Sequence, residues 1–87
     1  MEYKFEKDYL FSTSQIRTVL IPKSSIKYIE AKTVINQDRG IYKVIVNVYL
    51  NDDGLKDYIT VFSENFESVS KAEENLKIQN KYLLENY

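Results

Sequence analysis

Three carboxylates, Asp52, Asp53 and Asp57, fall close together in the second half of the chain. Carboxylates at such spacing can do general acid–base work or hold a hard cation. Their context favours a turn instead. Asn51-Asp52-Asp53-Gly54 is a hairpin signal, because a tight two-residue loop needs positive φ that Asp-Gly tolerates. The run also lacks the ligand spacing of a calcium loop. The chain contains no His and no Cys, which removes the commonest general base, the thiol nucleophile and the usual zinc ligands. Neither Gly40 nor Gly54 belongs to a phosphate-cradling motif. The expectation is a protein that is not an enzyme and that carries no cofactor and no metal.

Binding chemistry has more material to work with. Arg17, Lys23, Lys27, Lys32, Arg39 and Lys43 lie in the first half, with Tyr28 and Tyr42 among them. A basic sheet with aromatic side chains can stack exposed bases, so nucleic acid is one candidate partner. The net charge of −1 argues against it, since phosphate contact normally needs a basic excess. Lys along solvent faces and strand edges also serves to discourage aggregation. A protein partner is the stronger expectation. The alternation Ile41, Lys43, Ile45, Asn47, Tyr49, with Tyr58, Thr60 and Phe62 facing it, gives a sheet face with more apolar and aromatic surface than a solvated face needs. Aromatics mixed with polar groups are what interface cores prefer. Lys43, Ile45, Asn47, Tyr49 and Tyr58 are therefore the candidate partner-binding residues. The competing explanations are that the N-terminal strands or the helix cover this face, or that it closes a homodimer.

The elements that must position these residues are legible in the periodicity. Ile41 to Leu50 sets Tyr42, Val44, Val46, Val48 and Leu50 on one face without a polar interruption, so that face belongs to the core. Leu55 to Phe62 is the return strand. An even-length loop pairs Val48 with Ile59 and Val46 with Val61 on the core face, and Tyr49 with Tyr58 and Ile45 with Phe62 on the other. Upstream, Tyr3 to Phe11 reads as one strand with a turn or bulge at Lys7-Asp8, and Ile16 to Ile21 as another, ended by Pro22. Pro22 to Ser25 is a short turn with room for one turn of 3₁₀ helix. Ile26 to Ile35 resumes a strand, and Asn36 to Gly40 is a loop. From about Glu67 to Asn86 the period becomes helical, with Val69, Ala72, Leu76, Leu83 and Tyr87 on one stripe. Ser70-Lys71-Ala72-Glu73 matches a capping box, and Ser63 and Ser68 are rival N-caps.

The 87 residues have room for one domain and one core. Eight Tyr and four Phe help so small a core hold together without disulfides. Eight Lys or Arg against five acids in residues 1–44, and four against eight in residues 45–87, make a mild charge dipole. The absence of Cys and the charged Met1 to Asp8 start point to a cytoplasmic location, and no apolar run reaches membrane length, so no membrane association is expected.

Two resemblances extend these expectations. Ile21-Pro22-Lys23-Ser24-Ser25-Ile26-Lys27-Tyr28-Ile29-Glu30-Ala31 resembles the opening of LytTR-type DNA-binding domains, where an apolar-Pro start precedes a Tyr-Ile-Glu strand. The basic, His-containing closing segment of that family has no counterpart here. Asn51 to Leu76 resembles, in order and spacing, small bacterial and phage proteins of pleckstrin-homology-like layout, in which a hairpin precedes an acidic-leading helix. That likeness concerns layout and fixes no role, since such folds host unrelated functions. Separately, the small size and the acids concentrated in the second half fit a phage or mobile-element accessory protein or an inhibitor of a host enzyme. The overall expectation is an α+β fold spanning 1–87: an antiparallel sheet of about five strands over residues 3–62 and one C-terminal helix over residues 67–86, arranged as a pleckstrin-homology-like half-barrel.

Overall fold

The computed structural model describes residues 2–51 and 58–87. Six strands form two antiparallel three-stranded sheets, and one helix follows them. The first sheet holds β1 (Glu2–Glu6), β2 (Tyr9–Thr13) and β3 (Thr18–Pro22) in that order. The second holds β4 (Ile26–Asn36), β5 (Ile41–Leu50) and β6 (Tyr58–Asn65). The helix α1 spans Val69–Asn86. The α+β class and the C-terminal helix match expectation; the single sheet of about five strands does not.

The extra strand comes from the N-terminus. The segment expected as one strand is a hairpin whose two-residue turn is Lys7-Asp8, with Glu6 opposite Tyr9 and Lys7 at φ 51°. A Lys at positive φ is uncommon, and no Gly or Asn marks the turn. The turn also reassigns faces. Phe5 pairs with Leu10 and Tyr3 with Ser12, so Leu10 and Ser12 are buried while Tyr9 is exposed. A one-turn 3₁₀ helix, Lys23–Ser25, then carries the chain from the first sheet to the second.

The core forms where the two sheets face each other. Leu10 and Ile21 from the first sheet meet Ile26, Val46, Val48 and Val61 from the second. Val44, Val46 and Val48 are 0 % exposed, as the uninterrupted apolar face of β5 requires. Each such Val contributes roughly 1.5 kcal/mol by leaving water.

The register of β5 with β6 departs from strict alternation. Val48 opposite Ile59 and Tyr49 opposite Tyr58 hold as expected. Between Val46 and Asn47 a bulge intervenes, so Val46 faces Phe62, and Ile45 faces Ser63. The expected pairs Val46–Val61 and Ile45–Phe62 are therefore displaced. Phe62 turns toward the core, where its ring meets Tyr3 edge-on at 6.1 Å. A bulge inserts one extra residue and re-aims the side chains beyond it. The expected turn at Asn51 to Gly54, the start of the return strand at Leu55 and the acids Asp52, Asp53 and Asp57 lie at or within the stretch outside the described residues.

The helix packs against β4 and β5. Ser68 is its N-cap, accepting the Lys71 N–H at 3.3 Å; Ser70, the candidate capping-box residue, lies inside the first turn. Ala72 is 0 % exposed and Leu83 packs on the core, whereas Tyr87, the last residue of the expected stripe, is exposed. Gln79 takes an inward position that an apolar stripe does not anticipate. The Tyr3 hydroxyl donates to Gln79 Oε1 at 2.6 Å, and Gln79 Nε2 donates to Asn75 Oδ1 at 3.3 Å. Beside it the Phe5 N–H donates to the Tyr82 hydroxyl at 3.0 Å. Among the described residues no buried side-chain polar atom lacks a partner, as a sound interior requires. No helix among them is long and apolar enough to cross a membrane.

Candidate functional site

The register places the candidate residues in four rows across the outward face of the second sheet. Tyr28, Tyr49 and Tyr58 form the first row, and Glu30, Asn47 and Thr60 the second. Lys32, Ile45 and Ser63 form the third, and Val34, Lys43 and Asn65 the fourth. Lys43, Ile45, Asn47 and Tyr49 thus share one face of β5, and Tyr58 joins them from β6. Val44, Val46 and Val48 on the alternate positions are what hold this face outward, because their burial fixes the pleat.

Tyr28 and Tyr58 are 47 % and 55 % exposed, while Tyr49 between them is half-buried. The rings pack on one another rather than lying flat on the sheet. Tyr28 and Tyr49 stack with centroids 4.4 Å apart and an interplanar angle of 16°, and Tyr49 and Tyr58 lie 5.3 Å apart at 39°. The central faces of the row are therefore occupied by neighbouring rings, and the row presents edges and hydroxyls. Such pairs contribute about 0.5 to 1.5 kcal/mol each beyond their area burial.

Polar contacts stiffen the face. The Tyr49 hydroxyl donates to Glu30 Oε1 at 3.4 Å, and Lys32 Nζ lies 3.5 Å from the same oxygen. Partial burial, then the Glu30 charge and Tyr28, hold the Tyr49 hydroxyl above the usual tyrosine pKa, with Lys32 opposing them. It stays protonated, and so a donor, across the physiological range. Asn47 lies in the centre of the face but is only 4 % exposed; its Oδ1 accepts the Thr60 hydroxyl at 2.7 Å. Its contribution is to lock β5 to β6, not to offer surface.

Phe62, expected on this face, is absent from it because of the bulge. Tyr28 is present although sequence reasoning does not assign it to the docking set. The signal is available: a four-residue loop ending on Gly40, which sits at φ 64°, sets Asn36 opposite Ile41 and, counting back, Tyr28 opposite Tyr49. Among the described residues no strand or helix packs over the row. The first sheet and most of the helix lie on the other side, against the valine face, and the end of α1 shares a groove with Tyr28 at the β4 edge.

Comparison with known proteins finds no match to the chain among family models, curated proteins or solved structures.

Proposed function

We propose that this chain is a non-catalytic protein-binding domain that docks its partner on the tyrosine face of the second sheet. The observation that carries the reading is the row Tyr28–Tyr49–Tyr58, partly open to solvent on a sheet whose other face is the core. Rigid tyrosines ringed by polar groups supply interface area at low entropic cost, and few residue types are as enriched among binding hot spots.

The ring geometry favours protein over nucleic acid. Base stacking needs an aromatic face left open, and here Tyr49 has a ring on each side, which leaves only the outer faces of Tyr28 and Tyr58. The charges add to this: Lys32 on the face is paired with Glu30, so Lys43 is the one other cation in the four rows, well short of the basic excess that phosphate contact needs. Edges and hydroxyls, by contrast, suit the mixed apolar and hydrogen-bonding surface of a protein.

Replacing both Tyr49 and Tyr58 with Ala tests the proposal. The double variant should keep its cooperative melting transition, because neither ring belongs to the buried core cluster. Partners captured by the wild-type chain from its source cells should bind the variant about 30-fold more weakly or worse, as loss of a hot-spot cluster implies. Undiminished capture by a folded double variant defeats the proposal. Steeply salt-dependent retention on single-stranded nucleic acid, abolished by the same substitutions, supports the base-stacking alternative in its place.

A further inference from the structure

We infer that β4 is a self-pairing edge: two copies of this chain associate antiparallel through β4, about a two-fold axis at Ala31, into one continuous six-stranded sheet. The order β4-β5-β6 leaves one side of β4 without a strand partner among the described residues, along eleven residues from Ile26 to Asn36. Proteins normally blunt such an edge by keeping it short, charged or covered. This one is long, its central charges Glu30 and Lys32 are of opposite sign and neutralise each other, and Tyr28, Val34 and Ile35 are exposed along it.

The charges on β4 choose the register. A two-fold axis through the sheet keeps both outward faces on one side, so paired residues must share a face and the axis must fall on a residue. Centred on Ala31, Glu30 of each copy lies opposite Lys32 of the other, so opposite charges meet twice. Tyr28 then lies opposite Val34, and Ile29 opposite Thr33, aromatic and β-branched pairs of the kind that stabilise sheets. Centring on Glu30 sets that carboxylate against its own copy, and centring on Lys32 does the same with two ammonium groups. Only the Ala31 register among these three is free of a like-charge clash. Within each chain Lys32 already lies 3.5 Å from Glu30, so pairing builds a square of alternating charges around the axis.

The surroundings of the edge fit the same occupant. From the inward side round the edge to Tyr28, a groove of about 520 Å³ runs between β4 and the end of α1, lined also by Ile29, Ala31, Leu83, Leu84 and Tyr87. Leu84 there is 87 % exposed. In the Ala31 register, Thr33 and Ile35 of the second copy arrive on this side of the sheet. On the outward side, Val34 of the second copy comes to rest beside Tyr28, joining the two tyrosine rows into one face. Pairing does not depend on the docking role of that face; it enlarges it.

Light scattering and sedimentation across a dilution series up to about 100 µM test the inference. The wild-type chain should show twice the monomer mass. Glu30→Lys and Lys32→Glu should each raise the dimer dissociation constant about 10- to 30-fold, since each turns two attractive pairs repulsive. The combined Glu30→Lys/Lys32→Glu variant restores opposite charges and should return to within about threefold of wild type. Melting midpoints confirm that each variant is folded. A monomer at the highest concentration overturns the inference, as do single reversals without effect or a double reversal that fails to rescue. The Tyr49→Ala/Tyr58→Ala variant should still dimerise, so failure of the docking proposal and failure of this one give different results.

Discussion

Removing the Tyr3 hydroxyl tests how the helix is tied to the first sheet. Tyr3 on β1 donates to Gln79 Oε1 on α1 at 2.6 Å, and Gln79 is only 9 % exposed. In Tyr3→Phe the ring and its edge-on packing against Phe62 and Tyr82 survive, but the Gln79 carbonyl loses its donor. A buried acceptor left unpaired costs about 1 to 3 kcal/mol, and partial water access at Tyr3 puts this case at about 1 to 2. In a chain of this size that lowers the melting midpoint by roughly 5 to 12 °C. The same hydroxyl adds a pH signature. Burial, with a smaller contribution from Tyr82, pushes the Tyr3 pKa up to about 12 from the ordinary 10.0. The unfolded chain then ionises first, so the stabilisation is complete below pH 10 and is lost as pH rises toward 12. Two pKa units correspond to about 2.7 kcal/mol, and solvent screening of a half-exposed ring reduces this to about 1 to 1.5. Urea unfolding of wild type and Tyr3→Phe at stepped pH measures the gap, since the tyrosines not coupled to Tyr3 cancel in the difference and Tyr82 enters only through its smaller coupling. The gap should be constant up to about pH 9.5 and shrink by most of that amount by about pH 11.5. An equal gap at pH 7 and pH 11.5 refutes the burial of the Tyr3 hydroxyl, and no gap at pH 7 refutes its hydrogen bond as the helix tether.

Two further substitutions probe the helix. Ser68→Ala removes the acceptor for the Lys71 N–H and should cost about 1 kcal/mol in denaturant unfolding, whereas Ser70→Ala should cost nothing measurable. Ala72→Leu forces three extra carbons into a position that is 0 % exposed; a loss of about 1 to 3 kcal/mol is expected from thermal unfolding, and an unchanged midpoint shows that the helix does not press on the sheets there.

The parts legible in the sequence are those where one physical pattern dominates. The valine alternation of β5 and the helical period after Ser68 each override local ambiguity, and both elements lie where the periodicity sets them. The Lys7-Asp8 turn is half visible, because its residues signal polarity but not positive φ. The bulge between Val46 and Asn47 leaves no trace at all. Thr60, Val61 and Phe62 continue a smooth β-branched and aromatic alternation, and only packing of Phe62 against Tyr3 shows why the parity changes. Gln79 is similar: a Gln on a helix reads as solvated until a tyrosine from the distant first strand supplies its donor. Of the docking set, the face of Lys43, Ile45, Asn47, Tyr49 and Tyr58 is set by alternation. The depth of Asn47 is not, because burial on an outward face depends on the neighbours that the bulge rearranges.

The strand edges of this fold are treated unequally, and that inequality bears on how the protein meets others. On β1 the Phe5 N–H is taken by the Tyr82 hydroxyl, and β1 lies beside β6. The end of β6 is tied back to β5, where the Tyr42 N–H donates to Asn65 Oδ1 and the Phe66 N–H to the Tyr42 carbonyl. The outer strand β3 is only five residues long and ends on Pro22, which has no donor to offer. Cover by a neighbouring element, short length and a terminal proline are devices that natural sheets use to prevent edge-to-edge growth, whereas the β6 contacts fasten that strand to its ladder partner. β4 has more than twice the length of β3, with Val34 and Ile35 in the open and with opposite charges placed symmetrically about Ala31. A chain that covers or shortens the edges at β1 and β3 and leaves the longest one, β4, self-complementary and without a strand partner among the described residues has an edge shaped for a copy of itself. The tyrosine row, which adjoins that edge through Tyr28, then lies near the centre of a two-fold assembly and not at the margin of a monomer.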